Sequence, residues 1–195
     1  MERFKRKRIG EILVELGFMT QEQLERILDQ MVKRKEALGK VAVTEGFTQE
    51  EYFGEIALRE GYITEENLAQ ALAQQFMLPY VNLEGFEVDR ELLDLIPRGL
   101  LERHRFVPYS RKEDGLAVVI SDPVDVKVLD ELEDHLGIPI IPMVGSKGGI
   151  GWVLKRVEGA IRVLEEISED FKLDLVRETE RGEEILTVER VSAET

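Results

Sequence analysis

Cysteine is absent from this chain of 195 residues. Without thiols there is no disulfide framework, no thiolate metal site and no cysteine nucleophile. The two histidines, His104 and His135, lie far apart in the sequence and lack the spacing of a metal-ligand pair. The chain also lacks an apolar run long enough to cross a membrane and the apolar stretch of a secretory signal. We therefore expect a cytoplasmic protein with no metal and no direct membrane insertion.

Positive charge is scarce, because 26 Lys and Arg oppose 40 Asp and Glu for a net charge of −14. This balance argues against DNA or RNA as a partner, since duplex affinity rests largely on basic side chains that neutralise phosphates. The basic residues nevertheless cluster in the first 40 positions, which hold ten Lys and Arg against seven Asp and Glu. A solvated basic tail and a local cradle for a small anion both explain the cluster, and charge alone does not choose between them.

The sequence contains no recognisable catalytic constellation. A glycine-rich stretch at residues 145–151 (GSKGGIG) falls between a predicted strand and a predicted helix, where backbone amides could hold phosphate. It is not a Walker A motif, because Lys147 comes too early and Ile150-Gly151 stand where that motif needs Gly-Lys-Ser/Thr. We interpret it as a strand-to-helix turn. Neither histidine has a visible nucleophile partner, so the sequence predicts a protein that is not an enzyme.

One stretch of the N-terminal region nearly returns later in the chain. Residues 8–24 read RIGEILVELGFMTQEQL, and residues 52–68 read YFGEIALREGYITEENL. Seven identities recur at a constant offset of 44 positions, beginning with Gly10, Glu11, Ile12, Gly17, Thr20, Glu22 and Leu24. Each copy predicts a tight helical corner, in which glycine ends one helix and threonine caps the next. The copies are either two similar corners or the two halves of one binding site.

Hydrophobic periodicity predicts an α+β fold in three parts. Residues 1–80 form a repeat-built helical bundle with a shortened third copy near residues 38–47, residues 81–167 form a small α/β domain with a mixed sheet (αββαβα), and residues 168–195 form a charged linker or tail. In the second part, helices are predicted at 90–96, 100–104, 125–136 and 151–167, and strands at 106–109, 116–120 and 138–144. Prolines in the last strand favour a position at the sheet edge.

Two tight corners could bring a pair of helix N-termini and apolar faces together. Such a surface suits a flat, dianionic ligand with two-fold symmetry. Guanine rings can lie on leucine side chains and on an arginine plane, as bases do on stacking platforms. Phosphates can bind Arg8 and the amides at helix termini.

At these residues the chain resembles a known family. Arg8 to Gly17, followed by Leu24 and Leu28, resembles the repeated motif Arg-Leu-Gly-x-x-Leu-x-x-x-Gly and Leu-x-x-x-Leu-x-x-Gln of the MshEN-type N-terminal domain of type II secretion and type IV pilus assembly ATPases. Residues 78–83 (LPYVNL) resemble the usual sequel of the second copy. The resemblance covers the bundle and the following region to about residue 165, and the acidic tail is similar to the linker that leads into the ATPase domain.

The resemblance implies a non-catalytic regulatory domain of a secretion or pilus motor that binds cyclic di-GMP through its paired motifs. The implied partners are cyclic di-GMP, inner-membrane assembly proteins and the ATPase domain of the parent protein, which would place the domain at the inner face of the inner membrane. An alternative within the family is a protein-docking module that binds no nucleotide. The predicted ligand-binding residues are Arg8, Ile9, Gly10, Leu13, Gly17, Leu24, Leu28, Tyr52, Phe53, Gly54, Gly61, Leu68, Leu72 and Gln75.

Each copy departs from the family motif at one polar position. Met31 stands where the first copy would end in Gln, and Tyr52 replaces the arginine of the second copy. Tyr52 could stack on a base, and Lys40 or Arg59 could supply the charge. Docking requires neither Arg8 nor Gln75, so this pair distinguishes nucleotide binding from docking.

Overall fold

The computed structural model of the protein describes residues 7–38 and 49–160. The shortened third copy of the repeat after residue 38 and the predicted tail lie outside the described residues. The predicted domain boundaries after residues 80 and 167 stay predictions.

The described elements alternate short helices with one small sheet, and they confirm the expected α+β class with a mixed sheet. Their bounds are α1 Ile9–Glu15, α2 Gln21–Leu38, α3 Gln49–Arg59, α4 Glu65–Phe76, α5 Arg90–Asp94, α6 Arg98–His104, β1 Val107–Lys112, β2 Gly115–Ile120, α7 Val126–Leu136 and β3 Ile140–Val144. A further helix, α8, begins at residue 147 and continues to residue 160, where the described part ends. No described helix is both long and apolar enough to cross a membrane.

The sheet has the strand order β1-β2-β3. β1 and β2 form an antiparallel hairpin, with Lys112 opposite Gly115 at its turn. β2 and β3 are parallel and are joined by α7, which ends at Gly137 in the left-handed conformation (φ 65°). β3 lies at the end of the strand order, as its prolines predict, and beyond it Tyr80 forms an isolated parallel bridge to Val144.

The core of the helical bundle is built jointly by both copies of the repeat. Ile12 and Ile56, which are equivalent in the two copies, are both 2% exposed. Helix α1 packs against α2, α3 and α4, so neither copy forms a core of its own. A helix pair of this length buries too little apolar surface to be stable alone, and two copies sharing one core solve that problem.

The structure corrects one predicted boundary that matters for the functional argument. Helix α8 begins at residue 147 rather than at the predicted Gly151, so Gly148 and Gly149 belong to its first turn. The Ser146 hydroxyl accepts a hydrogen bond from the Gly149 amide at 3.0 Å, and the Ser146 carbonyl accepts one from the Ile150 amide at 3.0 Å. Serine at this position is a favourable helix cap, which explains the earlier start.

Candidate functional site

The two corners of the repeat have the same backbone hydrogen bonds. The Phe18 amide donates to the Leu13 carbonyl at 3.0 Å, and the Tyr62 amide donates to the Ala57 carbonyl at 3.0 Å. Gly17 (φ 75°) and Gly61 (φ 69°) take the left-handed conformation that ends each preceding helix. The corners predicted from sequence therefore form the same local structure twice.

Each corner ends in a reciprocal cap of the next helix. In the first corner, the Thr20 amide donates to Gln23 Oε1 at 2.8 Å, and the Gln23 amide donates to Thr20 Oγ1 at 3.2 Å. In the second, Thr64 and Asn67 exchange the equivalent bonds at 3.0 and 3.1 Å. A search for Glu or Gln three residues after threonine misses Asn67. The amide of asparagine nevertheless supplies the same acceptor.

The motif glycines mark places where side chains of the bundle approach the backbone closely. A Cβ on Gly10 would lie 2.6 Å from Leu24 Cδ1 and 2.9 Å from Phe53 Cζ. A Cβ on Gly54 would lie 3.1 Å from Leu68 Cδ2. The glycine-leucine contact is thus repeated in both copies. Phe53 belongs to the second copy, so its contact with Gly10 also locks the two copies together.

A long-range hydrogen bond joins the ends of the two motifs. Gln75, near the end of α4, is 5% exposed, and its Nε2 donates to the backbone carbonyl of Lys7 at 3.0 Å. Lys7 directly precedes Arg8, so this bond holds the start of the first motif against the end of the second. The two polar residues that the sequence singled out are brought into one neighbourhood.

Exposure divides the predicted site residues into two groups. The buried members, which belong to the bundle core or to its close backbone contacts, are Ile9, Gly10, Leu13, Leu24, Phe53, Gly54 and Gln75. The accessible or half-buried members are Arg8, Gly17, Leu28, Gly61, Leu68 and Leu72. The side chain of Tyr52 lies outside the described part.

Leu28, one of the predicted ligand-binding residues, is exposed on α2. Ile27 on the same helix is fully buried, whereas Leu28 is 43% exposed. Leu72, its equivalent in the second copy, is half-buried. The leucines at the end of each motif therefore leave apolar surface available to a ligand.

Arg8 lies at the N-cap position of α1 with its side chain exposed. Its backbone amide donates to Glu11 Oε2 at 3.0 Å, which fixes the backbone at that point. The neighbouring Lys7 forms an ion pair with Glu15 at 2.8 Å. On α2, hydrogen bonds to Glu22 and then to Tyr62 raise the pKa of Arg26.

The glycine-rich turn at residues 145–151 contains an anion supplied by the protein itself. The Glu65 carboxylate, from the first turn of α4, accepts a hydrogen bond from the Gly148 amide. Nothing in the sequence pattern signals this contact, because the two residues are 83 positions apart. Among the described residues, no group of three or more acidic or histidine side chains is placed to hold a metal ion.

A comparison with known protein families finds a match in the later part of the chain. Residues 76–164 match the family model of the MshEN domain. This match begins directly after Gln75, so all fourteen predicted ligand-binding residues precede it.

Two curated relatives are homologous over most of the chain. The type IV pilus assembly ATPase PilB of Myxococcus xanthus is 27% identical over 149 residues, which is 76% of this chain and 24% of that protein. PilB of Thermus thermophilus is 26% identical over 152 residues, which is 77% of this chain and 15% of that protein. The chain is therefore homologous to the N-terminal region of pilus assembly ATPases, and it spans at most about a quarter of the length of these relatives.

Solved structures extend the likeness beyond the matched segment. The structure of MshE with cdg (cyclic di-GMP) has a TM-score of 0.57 at 26% identity and covers 77% of this chain and 99% of that one. The N-terminal domain of XpsE has a TM-score of 0.50 at 21% identity, covers 80% of this chain and 98% of that one, and shows a shared fold alone. A coverage of 77% is more than residues 76–164 can supply, so the likeness to MshE includes part of the helical bundle.

Proposed function

We propose that this protein is the non-catalytic regulatory region of a pilus or secretion motor ATPase and that it binds cyclic di-GMP on its helical bundle. The observation that carries the proposal is the bond from Gln75 Nε2 to the Lys7 carbonyl. It holds the arginine of one motif beside the glutamine of the other, within a fold similar to that of MshE with cyclic di-GMP.

The chemistry of this ligand matches the accessible members of the site. Cyclic di-GMP has two guanine bases and two phosphates related by two-fold symmetry, and a pair of equivalent corners offers two equivalent half-sites. Leu28 and Leu72 provide apolar surface for the bases, and the exposed Arg8 guanidinium provides a planar cation for a base or a phosphate. Leu68 extends this surface in the second copy.

The buried members of the predicted set form the frame of the site in this proposal. Leu13 has no exposed surface and Phe53 is 4% exposed, so both position the helices rather than contact the ligand. Gly10 and Gly54 allow the close approach of Leu24 and Leu68 that sets the spacing of the motif helices. Gly17 and Gly61 form the corners.

The departures from the motif predict weaker binding than two complete copies would give. The first copy has its arginine but has Met31 in place of glutamine, and the second has its glutamine but has Tyr52 in place of arginine. A polar group left unpaired in a buried contact costs about 1–3 kcal/mol. Each missing partner therefore lowers affinity by about 5- to 150-fold.

Calorimetry with cyclic di-GMP tests the proposal, with GTP and cyclic di-AMP as ligand controls. We expect saturable heat with cyclic di-GMP alone and at least a tenfold loss of affinity in Arg8→Ala, because a charged hydrogen bond contributes about 1.5–3 kcal/mol. Arg111→Ala is the matched control, since Arg111 is also exposed but lies on β1. No heat at high micromolar cyclic di-GMP, or equal binding by Arg8→Ala and Arg111→Ala, contradicts the nucleotide proposal.

A second candidate function, docking on inner-membrane assembly proteins, is favoured by one observation. Val32, one turn after Leu28 on α2, is 55% exposed and is not part of the nucleotide motif. The two side chains form an exposed apolar strip that a partner could cover. In a pull-down with the assembly proteins, Val32→Asp should abolish capture if docking is the function. If nucleotide binding is the function, Val32→Asp should leave the heat of cyclic di-GMP binding unchanged.

A further inference from the structure

The carboxylate of Glu65 lies at the N-terminal ends of two helices at once. Glu65 is the first residue of α4, and its Oε2 accepts a hydrogen bond from the Gly148 amide in the first turn of α8. The adjacent Gly149 amide donates to Ser146 Oγ. Amides in the first turn of a helix have no acceptor within the helix, so side-chain acceptors satisfy them here. A negative charge at this place also interacts favourably with the dipoles of both helices.

Gly148 and Gly149 of α8 allow these acceptors to approach the backbone closely. A Cβ on Gly148 would lie 2.7 Å from Glu65 Oε2, and a Cβ on Gly149 would lie 2.8 Å from Ser146 Oγ. Any larger residue at position 148 would displace the carboxylate. The glycine-rich turn that resembles a phosphate loop in sequence is therefore shaped around an internal anion.

We propose that the hydrogen bond from the Gly148 amide to the Glu65 carboxylate, called the lock below, fixes the motif helix α4 to α8. Through this bond, ligand binding at the candidate site is coupled to α8. Helix α4 carries Leu68, Leu72 and Gln75 of that site, and α8 is the last helix in the described part of the chain. A shift of α4 acts directly on the first turn of α8 through this contact. The coupling to ligand rests on the proposed function, whereas the lock itself does not.

Amide hydrogen exchange in the absence of ligand tests the lock. In Glu65→Ala we expect the Gly148 amide to exchange at least about tenfold faster, because it loses a charge-assisted bond. Glu66→Ala is the matched control, since Glu66 is exposed and lies in the same first turn of α4. If Glu65→Ala does not fold, Glu65→Gln, which keeps the size and loses the charge, is measured instead. Equal Gly148 exchange in the Glu65 and Glu66 variants would overturn the lock.

A double-mutant cycle separates the lock from a general effect on stability. Gly148→Ala should lower the Tm of the wild-type protein, because the new methyl group displaces the Glu65 carboxylate. In the Glu65→Ala background the same change should raise the Tm, because alanine is the better helix residue and nothing is displaced. The same sign of shift in both backgrounds would contradict the contact.

The coupling is tested by repeating the exchange measurement with cyclic di-GMP. In the wild-type protein, saturating ligand should change the exchange rate at Gly148, and in Glu65→Ala that response should be lost. Binding without any change at Gly148 overturns the coupling while the proposed function stands. Absence of binding overturns the proposed function and the coupling, while exchange without ligand still decides whether the lock exists.

Discussion

The two copies of the repeat have the same corner but a different core. Phe18 and Tyr62 donate equivalent backbone bonds of 3.0 Å, yet the carbonyls that accept them belong to Leu13 and Ala57. Both of these side chains are fully buried. Glycine and threonine thus determine the shape of a corner. The size of the side chain buried at each corner depends on how much of the shared core the other copy already occupies.

The glycine contacts differ between the copies in the same way. Gly10 is approached by Leu24 of its own copy and by Phe53 of the other. For Gly54, the three nearest side-chain atoms all belong to Leu68 of its own copy. Only the glycine of the first copy is therefore approached by a side chain of the other copy, and we call the approach of Phe53 to Gly10 the interlocking contact. The repeat is symmetric in its backbone, whereas its packing is asymmetric.

The largest effect is expected from substitutions that remove the difference in size between the buried side chains of the two corners. Leu13→Ala, which gives the first copy the residue of the second, should lower the free energy of unfolding by about 2–5 kcal/mol, because the vacated volume leaves a cavity. The reverse change, Ala57→Leu, should cost about 1–3 kcal/mol through overpacking. Urea denaturation followed by circular dichroism measures both. A loss below about 1 kcal/mol for Leu13→Ala would mean that the site collapses around the cavity.

The next effect tests the interlocking contact. Gly10→Ala should lower the free energy of unfolding by about 1–3 kcal/mol, since its methyl group would overlap both Leu24 and Phe53. Gly54→Ala should range from neutral to a gain of about 1 kcal/mol, because Leu68 needs to move only slightly and alanine favours the helix. The same denaturation series compares the pair. Equal losses in the two variants would show that Phe53 does not distinguish the copies.

A smaller effect should be equal in both copies. Gly17 and Gly61 have positive φ, and no atom lies within 4 Å of where a Cβ would stand on either. Alanine in this conformation costs about 1–2 kcal/mol through the backbone alone. Gly17→Ala and Gly61→Ala should therefore lower the Tm by similar amounts in a calorimetric scan. A clear difference would place a tertiary contact at one of the corners.

The smallest expected effect concerns the caps. Thr20→Ala and Thr64→Ala should each lower the free energy of unfolding by about 1 kcal/mol, because each removes an acceptor for a first-turn amide. Gln23 and Asn67 return equivalent bonds, so the two losses should agree. Chemical denaturation of the two single variants is the measurement. If Thr64→Ala were far less costly, the shorter asparagine would not be an adequate partner.

Local signals account for the parts of the fold that sequence predicted well. The corners at Gly17 and Gly61 and the end of α7 at Gly137 all follow from the conformational freedom of glycine. The edge position of β3 follows from prolines that cannot donate to a ladder. Each of these features depends on a few neighbouring residues, so a sequence pattern is sufficient to find them.

Contacts between distant residues account for what sequence missed. The start of α8 at residue 147 depends on hydrogen-bond acceptors that include Glu65. An interpretation of residues 145–151 as a turn considers only neighbouring residues, so it cannot include Glu65. The burial of Leu24 beside the exposure of Leu28 also depends on the neighbouring helices, because the two leucines are equivalent in the sequence motif. The bond from Gln75 to the Lys7 carbonyl joins two ends of the bundle that no local signal relates.

The sequence by itself determined that a helical corner occurs twice at an offset of 44 residues, since backbone conformation at glycine and capping by threonine are local properties. Only the tertiary structure decided which motif residues lie in the core, which remain accessible to a ligand, and that Gly148 binds the carboxylate of Glu65. The physical reason is that burial and close approach depend on residues brought together from different helices. The sequence pattern predicts the helices but not how they pack against one another.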